Sequence, residues 1–370
     1  MMGWMPLLDG IEVPKRGNAE AFHRKTGSIR NGDYDDRAGS GKERVPGARG
    51  RCRGAVRLRK KLRRAELLPF FERLSPALIG MEACGGAHYW ARELIALGHE
   101  VRLMPPAYVK PYVKRGKTDA ADAEAICEAV TRPTMRYAAI KTVAQQSAGV
   151  ELKVRQLLVR QRTRAVNALR GHLAEFGIVA AKGIGRLDEH TSIVRDASDA
   201  RLPEAAREVL RELAQEIDAL NERIERIDRR LVRHCREDET ARRLATIPGV
   251  GPITARALQA MVPDPRSFRS SRHFAAWIGL TPRSNSSGGK ERLGPISKQG
   301  NAMLRSLLVL GAIARLRNIR SASGRDEWMS KLLARRPYKV AAVAVANKLA
   351  RIAWALMVKG GVYDKEIPAT

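Results

Sequence analysis

From about residue 54 onward, apolar positions fall into periodic runs separated by turn residues. "GAVRLRKKL" (54–62) alternates as a strand does, "AELLPFFERL" (65–74) repeats at helical spacing, and "PALIGME" (76–82) is a short unbroken apolar run suited to a buried strand. "GAHYWARELIALG" predicts a helix ending at Gly98, "HEVRLMPP" a strand stopped by prolines, and "DAADAEAICEAVT" another helix. Strand and helix alternate, which predicts an α/β domain with some parallel pairing.

The pattern then changes period. Residues 146–176 read as one long basic helix. In the next helix Leu210, Leu213, Ile217, Leu220, Ile224, Ile227 and Leu231 recur at alternating steps of three and four, a heptad seam that predicts a coiled coil. The seam can pair with 150–176 of the same chain or with a second subunit, and the pattern leaves both open. A glycine-rich turn in "LATIPGVGPITARALQA", a short helix "RHFAAWIGL", a flexible polar loop "TPRSNSSGGKERLGPISKQG" and mostly helical sequence to about 358 complete the chain. Residues 1–53 hold 9 of the 31 glycines and no periodic apolar run, so they are expected to lack regular structure. The organisation read from these shifts is a segment 1–53, an α/β domain 54–145, long helices with a coiled coil 146–235, and a mainly helical C-terminal domain 236–370.

Charge narrows the class of partner. Against 39 acidic residues stand 68 Lys and Arg, a net charge of +29 and a pI near 10.8, which favours nucleic acid. A membrane surface fits less well, because the positive charge is spread through every segment. The N-terminus has no long apolar run, and "VAAVAVANKLARIAWALMV" is broken by Asn347, Lys348 and Arg351. With four separated cysteines, no CxxC and no histidine ligand spacing, a cytoplasmic, nucleoid-associated protein with free thiols is expected.

Three constellations could carry chemistry. Glu82 ends the apolar strand "ALIGME", where open α/β sheets build their sites, and Asp119 and Asp122 fall on one face of a helix start. Converging carboxylates suit Mg²⁺ or Mn²⁺, and two such ions can assist phosphodiester cleavage. Taken alone, the pair reads as capping, with Asp119 as N-cap and Asp122 at N3, or as a solvated face. Secondly, Gly249 and Gly251 in "IPGVGPITARAL" resemble the turn of a helix-hairpin-helix element, whose bared N–H groups bind phosphate; an ordinary helix-helix turn is the alternative. Thirdly, "RSNSSGGKERLG" sets Ser284, Ser286 and Ser287 among Arg283, Lys290 and Arg292. There a serine oxygen can attack phosphorus if cations stabilise the phosphate, or the stretch is a loop without chemistry.

Together, "IGMEACGGAHYW", "LMPPAYVKPYVKRGKTDAADAEAI", "TIPGVGPITA", "FAAWIGLTPR" and "SSGGKERLGPISKQGNAMLR" resemble the insertion-sequence one-ten transposases, the DEDD transposases, from about residue 54 almost to the C-terminus. The resemblance implies a RuvC-like (RNase H-like) N-terminal domain, a coiled coil and a C-terminal domain with a nucleophilic serine. It implies Glu82, Asp119 and Asp122 as ligands for Mg²⁺ or Mn²⁺, and Ser287, or its neighbour Ser286, as nucleophile. It further implies DNA cleavage and strand exchange through a phosphoserine, guidance by an RNA encoded in the mobile element, and homo-oligomers joined by the coiled coil. A catalytically inactive nucleic-acid-binding remnant is the competing reading.

One part of the family pattern is missing, the first Asp on an N-terminal strand of the type "IGLDLAK". Residues 36–54, "DRAGSGKERVPGARGRCRG", read one nucleotide downstream, admit codons that spell "IGLDLAKNVFQVHGVDAE". Gly39-Ser40 as GGA-TCT, for example, contains GAT, an aspartate codon. The hypothesis is that the chain before about residue 53 is translated out of frame, by mutation, sequencing error or frameshifted expression. The gene's nucleotide sequence tests it: a shifted frame that does not encode that peptide ends the idea. Asp33, Asp35 and Asp36 offer substitute carboxylates, but no strand pattern holds them.

Overall fold

A computed structural model describes residues 28–30, 62–114, 118–179, 187–321 and 326–364. The chain divides into two compact units, Met1–Thr142 and Val143–Thr370. Most of the described chain is helical, with few strands.

In the first unit a three-stranded sheet runs in the order β1 (Ser28–Arg30), β2 (Leu78–Glu82), β3 (Glu100–Met104). β2 and β3 are parallel, with Leu78 opposite Glu100 and Glu82 opposite Met104. The crossover between them is α2 (Ala87–Ala96), released at Gly98, whose φ of 92° a side chain would disfavour. α1 (Leu67–Glu72), α3 (Pro106–Val109) and α4 (Asp119–Val130) complete the unit. Phe71, Ile79, Met81, Trp90, Leu94 and Leu103 form one core. Buried His99 braces it: its Nδ1 accepts from the Ala77 N–H at 3.2 Å and its Nε2 lies 3.0 Å from the Phe71 carbonyl, so Nε2 carries the donating proton.

The expectation that 1–53 lacks regular structure fails at Ser28–Arg30, which pairs antiparallel with β2, Ile29 opposite Ile79. Such pairing needs only backbone N–H and C=O groups, so no side-chain period announces it. The expected strand at 54–62 lies outside the described residues except for Leu62, which is buried.

The second unit begins with α5 (Val143–Glu175), α6 (Leu187–Arg195) and α7 (Glu204–Glu237). α5 and α7 lie antiparallel: Arg155 makes a two-pronged ion pair with Asp228, and Arg162 donates to Asn221 at 2.9 Å. Leu210, Ile217, Leu220, Ile224, Ile227 and Leu231 are buried within the chain, so the heptad seam faces α5. Arg207, 1% exposed, ties the α6–α7 connection by donating to the carbonyls of Ile193, Asp196, Asp199 and Leu202.

The remaining helices are α8 (Glu239–Leu244), α9 (Pro252–Met261), α10 (Ser271–Ile278), α11 (Ala302–Ser321), α12 (Glu327–Arg335) and α13 (Tyr338–Lys359). They enclose a second core containing Leu244, Leu258, Phe274, Leu308 and Leu349. α13 is long and apolar enough to cross a membrane, yet Ala341, Ala342, Val345, Ala346, Leu349, Ala350 and Ala353 are buried in this core. The polar stretch expected as a flexible loop is instead an antiparallel pair, β4 (Pro282–Ser284) and β5 (Leu293–Ile296). Its strands are mostly exposed, which is why no buried alternation marks them.

Candidate active site and nucleic-acid interface

Glu82 closes β2 at the carboxyl end of the parallel pair, and α4 lies directly across that strand. The approach is possible because residue 80 is glycine: a Cβ there would stand 2.9–3.1 Å from Val130 and Ile126 of α4. Moving from Gly80 to Glu82 advances about 6.6 Å along a strand, and moving from Ile126 back to Asp122 covers about 6 Å along a helix. Strand and helix registers therefore bring Glu82 opposite Asp122. The electrostatics agree: burial, and then the Asp122 carboxylate, push the Glu82 carboxyl above its ordinary pKa. A half-buried like-charge pair of oxygen ligands fits a divalent cation, which would relieve both penalties.

Asp119 opens α4, but it is not the cap. Thr118 is the N-cap, its hydroxyl accepting from the Ala121 N–H at 3.1 Å, so Asp119 sits at N1 and Asp122 at N4. The capping role weighed for the aspartate pair is thus corrected, because the threonine before it already satisfies the helix end. Among the described residues no group of three or more His, Cys, Asp or Glu gathers into a metal cluster.

In the second unit α8, a tight turn and α9 present Gly249 and Gly251. Gly249 has a φ of 93° and packs on α11: a Cβ on Gly249 would meet the Gly311 carbonyl at 2.9 Å, and one on Gly311 would meet the Gly249 carbonyl at 1.9 Å. Close packing within the chain therefore explains Gly249. Gly251, by contrast, is the exposed N-cap of α9 with open space where a side chain would project, and Pro252 follows it.

The β4–β5 hairpin separates the two candidate serines. Ser286 Oγ lies 2.9 Å from Ser284 Oγ and accepts the Arg292 N–H at 3.2 Å, so that hydroxyl is engaged in holding the strands. Ser287 opens the turn Ser287–Lys290, whose Lys290 N–H donates to the Ser287 carbonyl at 3.1 Å across Gly288 (φ 56°) and Gly289 (φ 76°). Positive φ at both central residues is the type I′ pattern, which matches strand twist and needs glycines here. No side-chain hydrogen bond engages the Ser287 hydroxyl among the described residues, and Lys290 is its cross-strand neighbour. Arg283 donates to the Ser297 carbonyl at 3.0 Å, whereas Arg292 stands exposed on the hairpin.

Sequence reasoning missed Gly80 and Thr118. An unbroken apolar strand containing one glycine, and a threonine just ahead of a helical run, were the available signals.

Residues 241–328 match the profile described as the transposase IS116/IS110/IS902 family, and residues 58–178 match a transposase profile of the DEDD type. The Sinorhizobium fredii protein y4pF/y4sB is 52% identical over 308 residues, 83% of this chain and 79% of its own length. The transposase for insertion sequence element IS1328 of Yersinia enterocolitica is 42% identical, over 84% of this chain and 93% of that protein. The transposase for insertion sequence element IS1111A of Coxiella burnetii is 39% identical, over 84% and 85% respectively. The chain belongs to the IS110/IS116/IS902 family of insertion-sequence transposases. That membership implies a DNA-binding, DNA-cleaving enzyme, and the DEDD type suggests dependence on a divalent metal.

Proposed function

We propose that this transposase cuts and rejoins DNA with Ser287 as nucleophile and with Glu82, Asp122 and Asp119 as carboxylates for Mg²⁺ or Mn²⁺ in a RuvC-like domain. The observation that carries the reading is the like-charge pair of Glu82 and Asp122 at the end of β2, held by the contact of α4 with Gly80. A divalent cation bound there would supply Lewis-acid stabilisation to phosphate oxygens. Ser287 Oγ, without a side-chain hydrogen bond among the described residues, loses its proton and attacks phosphorus; a serine O–P bond forms, the P–O bond to the departing strand breaks, and that strand's oxygen takes up a proton. Lys290 and Arg292 offset charge on the phosphate, and an incoming hydroxyl then displaces the serine to join strands. Arg283 and the N–H groups around Gly249 and Gly251 contact backbone phosphates in a helix-hairpin-helix manner, with Gly251 the more open of the two. The domain limits 54–145, 146–235 and 236–370, guidance by an element-encoded RNA and assembly of copies belong to the same reading. Since the α7 seam faces α5, assembly would use the outer α5 face with exposed Val150, Val154 and Leu157.

A second reading, an inactive nucleic-acid-binding remnant, is favoured by one fact: the DEDD-type match begins at residue 58, after the segment where the first carboxylate would fall. That segment and its shifted-frame reading lie outside the described residues. The test is cleavage of element-end DNA with Mg²⁺ by this chain and by a frame-restored chain. Activity in the restored chain alone supports both the carboxylate site and the frame reading; equal activity removes the frame reading; activity in neither leaves the binding remnant. A trapped protein–DNA adduct lost in Ser287→Ala and kept in Ser286→Ala assigns the nucleophile, and the reverse pattern moves it to Ser286.

A further inference from the structure

From Pro265 through Arg283 the chain carries four arginines and no carboxylate. Three of them, Arg266, Arg269 and Arg272, are exposed and make no ion pair among the described residues. This contrasts with Arg155 and Arg195, whose charges are matched by Asp228 and Asp218. Asp264, the nearest carboxylate in sequence, accepts the Arg266 backbone N–H at 2.9 Å and caps the turn before α10.

Beside these arginines lies an aromatic stack. Phe268 meets Phe274 at 5.1 Å, Trp277 at 5.2 Å and His273 at 6.4 Å between ring centroids. Trp277 and Phe274 are nearly parallel, at 19° and 5.9 Å. Phe274 is fully buried, so the stack is anchored, while Trp277 keeps 36% of its surface exposed. Trp354, donating its indole N–H to the Pro265 carbonyl at 2.8 Å, ties the start of the segment to α13. A rigid indole backed by two rings, in a short segment that also carries three exposed arginines with no ion pair among the described residues, is chemically matched to a planar π-system that carries a phosphodiester. An apolar protein partner accounts for the indole but not for three unmatched positive charges.

We infer that Trp277 is a stacking platform for an unpaired nucleobase, and that Arg266, Arg269 and Arg272 take the phosphates on either side of it. The site goes beyond the cleavage chemistry: it binds a strand by the face of a base, whether or not Ser287 cuts. Trp277, near the end of α10, is followed in sequence by Gly279 and the β4–β5 hairpin that carries the candidate nucleophile.

The test uses the full chain in EDTA, where no strand is cut, so failure of the serine chemistry leaves the result untouched. Anisotropy is read for labelled oligodeoxythymidine, oligouridine and a duplex. Trp277→Ala weakens single-strand binding by roughly 5- to 100-fold, as loss of one base stack does, with the salt dependence unchanged and duplex affinity little altered. Trp277→Phe, which keeps a ring, restores most of the affinity. The double variant Arg269→Gln, Arg272→Gln changes only exposed side chains and lowers the slope of log affinity against log salt by about 1.4. A loss confined to thymidine assigns the base to DNA, one confined to uridine assigns it to RNA, and an equal loss assigns the shared chemistry. Undiminished single-strand binding by a Trp277→Ala chain with native circular dichroism overturns the inference, as does an equal loss for duplex. Photocrosslinking of a 5-bromouracil oligomer maps to Trp277 or Phe268 if the inference holds, and to neither if it does not.

Discussion

A carboxyl group that folding half-buries against another carboxyl holds its proton more tightly than it does in the unfolded chain. Glu82 is in that position, its pKa raised first by burial and then by Asp122. For a raised acid the folded state binds more protons between the unfolded and folded pKa values, so stability falls as pH rises through that window. In EDTA, Glu82→Gln should therefore raise the melting temperature relative to the parent at neutral pH, and the gain should vanish below the ordinary glutamate range. Added Mg²⁺ should stabilise the parent and not the variant; thermal melts at two pH values check both. The serines illustrate what residue-level reading of sequence can reach. "SNSSGG" placed two candidates side by side, and only the hairpin's hydrogen bonds show that Ser286 is engaged, while the Ser287 hydroxyl has no side-chain hydrogen bond among the described residues. The aspartates illustrate the converse. Their spacing allowed capping, and the residue that performs it, Thr118, lay one position outside the pattern.

Elements were legible wherever a buried face imposed a period. α2, β3, α4, α5, α7 and α10 follow from their apolar spacing, whereas β1 and the β4–β5 hairpin rest on backbone pairing or stay exposed and leave no such trace. The joint between elements is harder to read, since it depends on what a residue lacks. Gly80→Val would insert a side chain where α4 sits, separating Asp122 from Glu82. We expect the Mg²⁺-dependent stabilisation to disappear and the fold to lose about 1–3 kcal/mol, by the cost of overpacking, measurable by denaturant unfolding. Arg207→Ala removes the donor shared by four carbonyls at the α6–α7 connection. The Leu202 carbonyl is buried and the other three part-buried, and a buried acceptor left without a partner costs about 1–3 kcal/mol, so a loss of at least that size should appear as a lowered urea midpoint.

At the scale of the molecule, charge and order of motifs were the readable features. A net charge of +29 pointed to nucleic acid, and the order of the motifs carries the resemblance to the family that the profile matches show. The choice of partner for the heptad seam was not readable, because the pattern at a and d positions is the same for a neighbouring helix and for a second subunit. The α5–α7 pairing resolves it. Ile224→Ala should consequently destabilise the second unit by about 2–5 kcal/mol while leaving the mass measured by light scattering unchanged. The contact between Gly249 and Gly311 joins a turn to a helix far away in sequence, and it reverses an ordinary rule. Alanine in a helix normally gains about 1 kcal/mol over glycine, but Gly311→Ala should lower stability, since its methyl would overlap the Gly249 carbonyl. Neither position can acquire a side chain unless the backbone of the other withdraws, so the two glycines form one steric lock between the turn and α11, and a substitution at either one is felt at both.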